Sequence, residues 1–433
     1  MSIAVVLPGG GARGAYEIGA LSVLLPALQE RGERVSIWCG ASVGAINAAA
    51  LASLAHLSTD EQVRRAEALW RDLRKPDVIA RLVGVGGARM LLRTLGRAAG
   101  LPRVGLASLL DPSPLAASLD RWIDWRRLSL NVGRGELDAV CVIATALPSG
   151  KSVGFLSSRD DAPRRIDGGI RYVKTRLRGE HVRASAAIPV LFPTVEVTSP
   201  RAAAGHYTDG GTRLNSPIKP AVDLGATKLI VIGLEPFAPG LETPATSGRQ
   251  PSIADVAANV LNGLLVDQVG QDLRRLAAIN SFFVEDSSTG AIGSPRSYRI
   301  ARGHAPYRPI AYALVAPRRQ GEIGRLAEQT FSEHYGGLRG LRDIDFAVMA
   351  RALGSGNRSR GEFLSFLLFE RHFVQALTEM GKRDATRWLR RHPRFWCRDA
   401  EHDLAIGPLD RQQVIEEGVL EEFRTRRMLR GGG

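Results

Sequence analysis

Residues 2–50 read SIAVVLPGGGARGAYEIGALSVLLPALQERGERVSIWCGASVGAINAAA, and this stretch decides the fold. SIAVVLP is a short β-branched run that stops at glycines, AYEIGALSVLLPALQERG has apolar residues at helical spacing, and RVSIWCG is again β-branched. Period and punctuation together predict strand, glycine loop, helix, strand. That is a βαβ unit, which implies a parallel sheet with its site at the carboxyl ends of the strands. GASVGA then opens a small-residue helix, INAAALASLAHL, able to pack closely on the sheet. No basic segment or small-residue cleavage site marks the first residues as a secretory signal, so SIAVVLP is read as the first strand.

Further along, strands are expected at LDAVCVIATAL (Leu137 to Leu147), VGFLSS, the turn-rich IPVLFPTVEV, KLIVIGLEP (Lys228 to Pro236) and AYALVAP, with helical patterns between them. The class is therefore α/β. A linker rich in Pro, Thr and Ser (Ala238 to Pro251) precedes the amphipathic pattern SIADVAANVLNGLLVDQVGQDLRRLAAI, and beyond about Phe331 the chain reads as wholly helical. Phe363, Phe366, Leu367, Val374 and Leu377 fall at helical spacing and are expected in the core. No internal repeat occurs.

The 433 residues, 44% hydrophobic and 24% charged, describe a folded globular chain rather than a disordered one. No apolar run approaches the roughly 18 residues a transmembrane helix needs. Cys39, Cys141 and Cys397 form no C-x-x-C pair, which argues against a disulfide framework or a structural zinc site and for a reducing, cytoplasmic setting. The net charge of +14, carried mostly by arginine, asks for an anionic partner, with phospholipid headgroups and nucleic acid both eligible. Between Asp77 and Asp111 there is no acidic residue, while Arg81, Arg89, Arg93, Arg97 and Arg103 recur; residues 81–110 read as an insertion or lid suited to an anionic surface.

Two motifs in the opening stretch carry chemistry. Gly9, Gly10, Gly11, Arg13 and Gly14 form a glycine-rich turn between strand and helix, where unpaired N–H groups and the helix dipole favour negative charge. A dinucleotide site would need an acidic residue closing the second strand, but that strand ends Trp38-Cys39-Gly40, and no G-K-[ST] ending makes the turn a P-loop. Gly40-Ala41-Ser42-Val43-Gly44 matches G-x-S-x-G, a nucleophile elbow whose small flanking residues permit a strained turn that exposes the Ser oxygen. A helix-capping serine is the competing reading of such a motif taken alone. An ordinary α/β-hydrolase is disfavoured, because it would place several strands before its elbow. Two Asp-Gly-Gly tripeptides, at Asp167 and at Asp209-Gly210-Gly211, offer a carboxylate on a glycine turn as general base, so a dyad needs no histidine. His206, three residues before Asp209, reads as a surface histidine.

GGGARG, GASVGA, and SAAIPVLFP leading to YTDGGTRLNSP, in this order and spacing, resemble the patatin-like phospholipases. The signature-bearing part runs from about Ile3 to Pro236. The resemblance implies a three-layer α/β/α patatin-like fold with a mainly parallel sheet and a helical C-terminal extension. It divides the chain into an acyl hydrolase domain, 1–330, and a helical region of unknown role, 331–433. It also implies Ser42 as nucleophile, Asp209 as base, an oxyanion hole from the Gly9, Gly10 and Gly11 turn, and supporting roles for Arg13, Gly14, Gly40, Gly44, Gly210 and Gly211. Neither a metal nor an organic cofactor is implied. The expected function is hydrolysis of phospholipid or other acyl esters, of the phospholipase A or lysophospholipase type, with peripheral contact at an anionic membrane. The alternative is a non-catalytic basic protein binding anionic membrane or nucleic acid, though no helix-turn-helix, zinc-finger or RRM signature supports the latter. Nothing in the residues signals an oligomeric state.

Overall fold

The structure is a computed structural model that describes residues 2–80, 110–163, 169–189, 191–237, 280, 309–335 and 358–398. Asp167, the arginine run from Arg81 to Arg103 and the amphipathic pattern at 252–279 lie outside the described residues. In chain order the elements are β1 (Ile3–Leu7), α1 (Gly14–Gln29), β2 (Ile37–Ala41), α2 (Val43–Ser53), α3 (Thr59–Asp72), α4 (Lys75–Val78), α5 (Ser113–Trp122), α6 (Trp125–Gly133), β3 (Ala139–Ala146), β4 (Lys151–Ser158), β5 (Ile170–Lys174), α7 (Gly179–Ser185), β6 (Val195–Val197), β7 (Gly205–Asp209), α8 (Gly211–Leu214), α9 (Ile218–Asp223), β8 (Lys228–Ile232), β9 (Ala311–Val315), α10 (Glu322–Tyr335), α11 (Arg358–Leu367) and α12 (Arg371–Arg391).

The strands make one sheet in the order β5-β4-β3-β2-β1-β8-β9, with β7 also on β3 and β6 on β7. From β3 through β9 every neighbour on that path is parallel, and β4 turns back antiparallel on β3. β1 and β2 are buried at every position. A parallel strand with both faces covered must be apolar throughout, which is why these strands read as continuous runs instead of alternating ones. Leu21, Leu24 and Leu28 of α1 are fully buried in the core; each contributes about 1.5–3 kcal/mol relative to exposure.

One detail of pairing brings the site together. β4 pairs with β3 along its whole length, Ala139 to Ala146, and so occupies one edge. The other edge is shared end to end: β2 takes Ala139 to Ile143 and β7 takes Ala144 to Ala146. Ala41, the last residue of β2, faces Ile143, and Asp209, the last of β7, faces Ala144. The chain leaving β2 is Ser42.

The C-terminal helices belong to the same hydrophobic core. A Cβ on Gly19 would lie 2.0 Å from the Thr378 carbonyl oxygen and one on Gly381 2.2 Å from that of Tyr16, so α1 and α12 are in backbone contact. Tyr16 donates its hydroxyl to Asp384 Oδ2 at 3.1 Å across this contact. The C-terminal part departs from the wholly helical expectation at its end, where Cys397 makes an antiparallel bridge to Tyr312 and Trp396 donates to Glu33. The stretch from Phe363 to Met380 is two helices, because Glu370 interrupts the pattern to cap α12 by accepting from the His372 and Phe373 N–H groups. Among the described residues no helix is long and apolar enough to cross a membrane.

Candidate active site

Ser42 stands between β2 and α2 with φ 52° and ψ −125°. Among the described residues only it and Phe395 are non-glycines at positive φ. Such a conformation costs about 1–3 kcal/mol and survives where the surroundings enforce it. Here they do so by close backbone packing: a Cβ on Gly40 would meet the Gly44 carbonyl oxygen at 2.2 Å, and one on Gly44 would meet that of Leu7 at 2.3 Å. The Ser42 N–H donates to Ser185 Oγ at 2.9 Å, and Ser185 donates in turn to the Ile143 carbonyl. Ser185 begins the SAAIPVLFP stretch, yet no role is legible for it in sequence because its partners lie about 143 and 42 residues away.

Asp209 is fully buried at the end of β7. Its N–H donates to the Ala187 carbonyl at 2.9 Å, its Oδ1 accepts from the Gly211 N–H at 2.7 Å, and Gly210 lies under the Ile143 carbonyl too closely for any side chain. Burial pushes the carboxyl from its ordinary 3.8 up to about 7, partly offset by the Ser42 hydroxyl and the Gly211 amide. The hydroxyl is thus close enough to be felt, but among the described residues Oδ2 has no well-formed hydrogen bond. The contact is long or misaligned, as such pairs are before a ligand tightens them.

The glycine turn lies directly above Ser42. A Cβ on Gly9 would come within 2.8 Å of Ser42 Cβ. The Gly9 N–H donates to Asn215 Oδ1 at 2.8 Å. Asn215 ties the loop after Asp209 to this turn. The N–H groups of Gly10 and Gly11 make no hydrogen bond among the described residues, and Gly11 sits at φ 59°. Gly14 packs on Val43 and Trp70 with no room for a methyl.

Arg13 is fully buried and turned toward α11. Its Nη2 donates to Glu362 Oε2 at 2.6 Å and to the Glu362 carbonyl at 2.9 Å, its Nε donates to Ser365 Oγ at 2.7 Å, and its guanidinium lies 4.0 Å from the Phe366 ring centre. His206 is exposed on β7. Beside Ser42 lies an apolar cavity of about 40 Å³, lined by Val43, Trp70, Leu115, Trp122, Phe366 and Phe369 among others. Trp70 is held by a buried relay, its indole N–H donating to Asn47 Oδ1 and the Asn47 amide to Glu17 Oε2. Burial pushes the Glu17 carboxyl well above the usual carboxylate range, against the hydrogen bond from Asn47 that lowers it. No group of three or more metal-ligating side chains occurs among the described residues.

The fold is a mainly parallel α/β sheet with a strained serine at a strand-to-helix elbow and a buried acid at the end of the neighbouring strand. The family model for patatin-like phospholipase matches residues 5–222, and the chain belongs to that family. Membership indicates a lipid acyl hydrolase. A search of curated proteins returned no match. Among solved structures, VipD from Legionella pneumophila aligns over 90% of this chain and 67% of its own at 14% identity, with a TM-score of 0.34.

Proposed function

We propose that the protein cleaves carboxylic esters of lipids, of the phospholipase A or lysophospholipase type, through Ser42 and Asp209. The observation that carries this reading is the end-to-end sharing of the β3 edge, which sets the strained Ser42 against a buried carboxyl held at about 7. Ser42 Oγ attacks the ester carbonyl carbon as Asp209 accepts its proton, and the alkoxide leaves with that proton. Water then attacks the acyl-enzyme with Asp209 again as base, freeing the acid and restoring Ser42. The Gly10 and Gly11 N–H groups are the two available oxyanion donors, with the N-terminal dipole of α2 adding positive potential at Ser42. A base with pKa near the working pH combines a useful ionised fraction with real proton affinity. The substrate resides in membranes, so contact with an anionic surface belongs to the same proposal.

A fluorophosphonate probe and a soluble ester test it. Wild type is expected to label at Ser42 and to turn over, and Ser42→Ala to do neither while unfolding at the same temperature. Removing a serine nucleophile lowers kcat by about 10⁶-fold in subtilisin. Comparable turnover by the alanine variant would assign the chemistry elsewhere.

A further inference from the structure

The space around Ser42 is limited by helix α11, more than 300 residues away in the chain. Ser42 is 3% exposed. The cavity at its side chain measures about 40 Å³. One water needs roughly 10–15 Å³ of such volume, so about three non-hydrogen atoms fit beyond the carbonyl, which is an acyl group of roughly two to four carbons. A lipid-length chain has to extend past this volume.

Phe366, Leu367 and Phe369 line the cavity beside Ser42. They are fastened to the glycine turn from both sides. A Cβ on Gly11 would lie 2.1 Å from the Phe366 carbonyl oxygen, so the end of α11 rests on the turn itself. Arg13 reaches Glu362 and Ser365 one turn earlier. The Arg13–Glu362 pair is buried on both sides and incomplete, since Arg13 Nη1 and Glu362 Oε1 have no hydrogen-bond partner among the described residues. For such a pair desolvation offsets much of the Coulombic gain, so it fixes geometry at modest net stability.

We propose that Phe366, Leu367 and Phe369 set the acyl-chain length accepted at Ser42, and that Glu362, acting through Arg13, is the positioning residue that holds them in place. The proposal rests on the reading of Ser42 as an acyl-transfer nucleophile. With α11 seated, the site takes short acyl groups; a lipid-length chain is admitted as α11 lifts off Arg13.

The test is the chain-length profile of the full protein on p-nitrophenyl acetate, butyrate and decanoate, read as kcat/KM. Wild type is expected to prefer butyrate over decanoate by about tenfold or more, since pocket-length discrimination is of that order. Glu362→Gln keeps an acceptor for Arg13 without the charge, and Phe369→Ala trims the wall without touching Arg13. Each is expected to raise the decanoate-to-butyrate ratio by about tenfold or more. A merely structural Glu362 would lower the unfolding temperature and both rates in proportion, leaving the ratio where it was. Equal wild-type rates on butyrate and decanoate, or an unchanged ratio in the folded variants, would overturn the wall. If no ester of any length is cleaved and the fluorophosphonate leaves Ser42 unlabelled, the nucleophile reading falls, and the wall with it.

Discussion

Replacing Asp209 with Asn separates what the carboxylate does for catalysis from what it does for stability. Burial holds this carboxyl at about 7 in the folded chain against an ordinary 3.8. A raised folded pKa stabilises the fold below the unfolded value, and that stabilisation is lost as pH rises through about 7, because ionising a buried group is disfavoured. A shift of about 3 units corresponds to about 4 kcal/mol that wild type gives up between pH 4 and pH 8. Asn cannot ionise, yet its Oδ1 can still accept from the Gly211 N–H that Asp209 Oδ1 now engages at 2.7 Å. Asp209→Asn is therefore expected to be more stable than wild type at pH 8, by up to about 4 kcal/mol, and close to it at pH 4. Activity should move the other way. About 1% of the wild-type carboxyl is ionised at pH 5 and half at pH 7, so kcat/KM on a soluble ester should rise about fiftyfold across that interval. The Asn variant should lie about 10⁴-fold lower with no such rise. Denaturant unfolding and initial rates, each at pH 5, 7 and 8, measure both arms. A wild-type rate flat from pH 5 to 8 would show that Asp209 is not the titrating base, and a variant less stable than wild type at pH 8 that it is not a destabilised buried acid.

Gly9→Ala should lower kcat with little change in KM, because its methyl would come within 2.8 Å of Ser42 Cβ and displace the nucleophile; steady-state kinetics on a short ester check it. Ser185→Ala removes the acceptor of the Ser42 N–H and the donor to Ile143. It should destabilise by about 1–3 kcal/mol, seen in denaturant unfolding, and slow fluorophosphonate labelling of Ser42 as the elbow relaxes.

The strand, glycine turn, helix and elbow of residues 3–53 are legible in sequence because each is fixed by near neighbours. β-branched runs favour strands, glycine permits φ 59° at Gly11, and small residues at 40 and 44 let β2 turn into α2. The family pattern likewise ties Ser42 to Asp209, since both stand in motifs a few residues long. What Gly9 and Arg13 do is not legible, because the same turn serves as oxyanion donor or as structural anchor depending on groups far along the chain. The Gly9 proton goes to Asn215, 206 residues on, and the Arg13 guanidinium to Glu362, 349 residues on. A glutamate in an amphipathic helix reads as a solvated charge; only packing α11 onto the turn buries it and gives it an arginine.

The sequence by itself determined the α/β class, the parallel pairing of the first strands and the serine elbow, through backbone sterics and hydrophobic period that act over a few residues, while Asp209 as the partner of Ser42 came from the resemblance to the patatin-like family. Tertiary structure alone decided how those two residues meet, by giving β2 and β7 the two halves of one β3 edge. It also decided how much room they have, by laying α11 over Ser42. Strand register and helix docking are set by the free energy of the whole core, which joins residues distant in sequence, so no local run of residues encodes them.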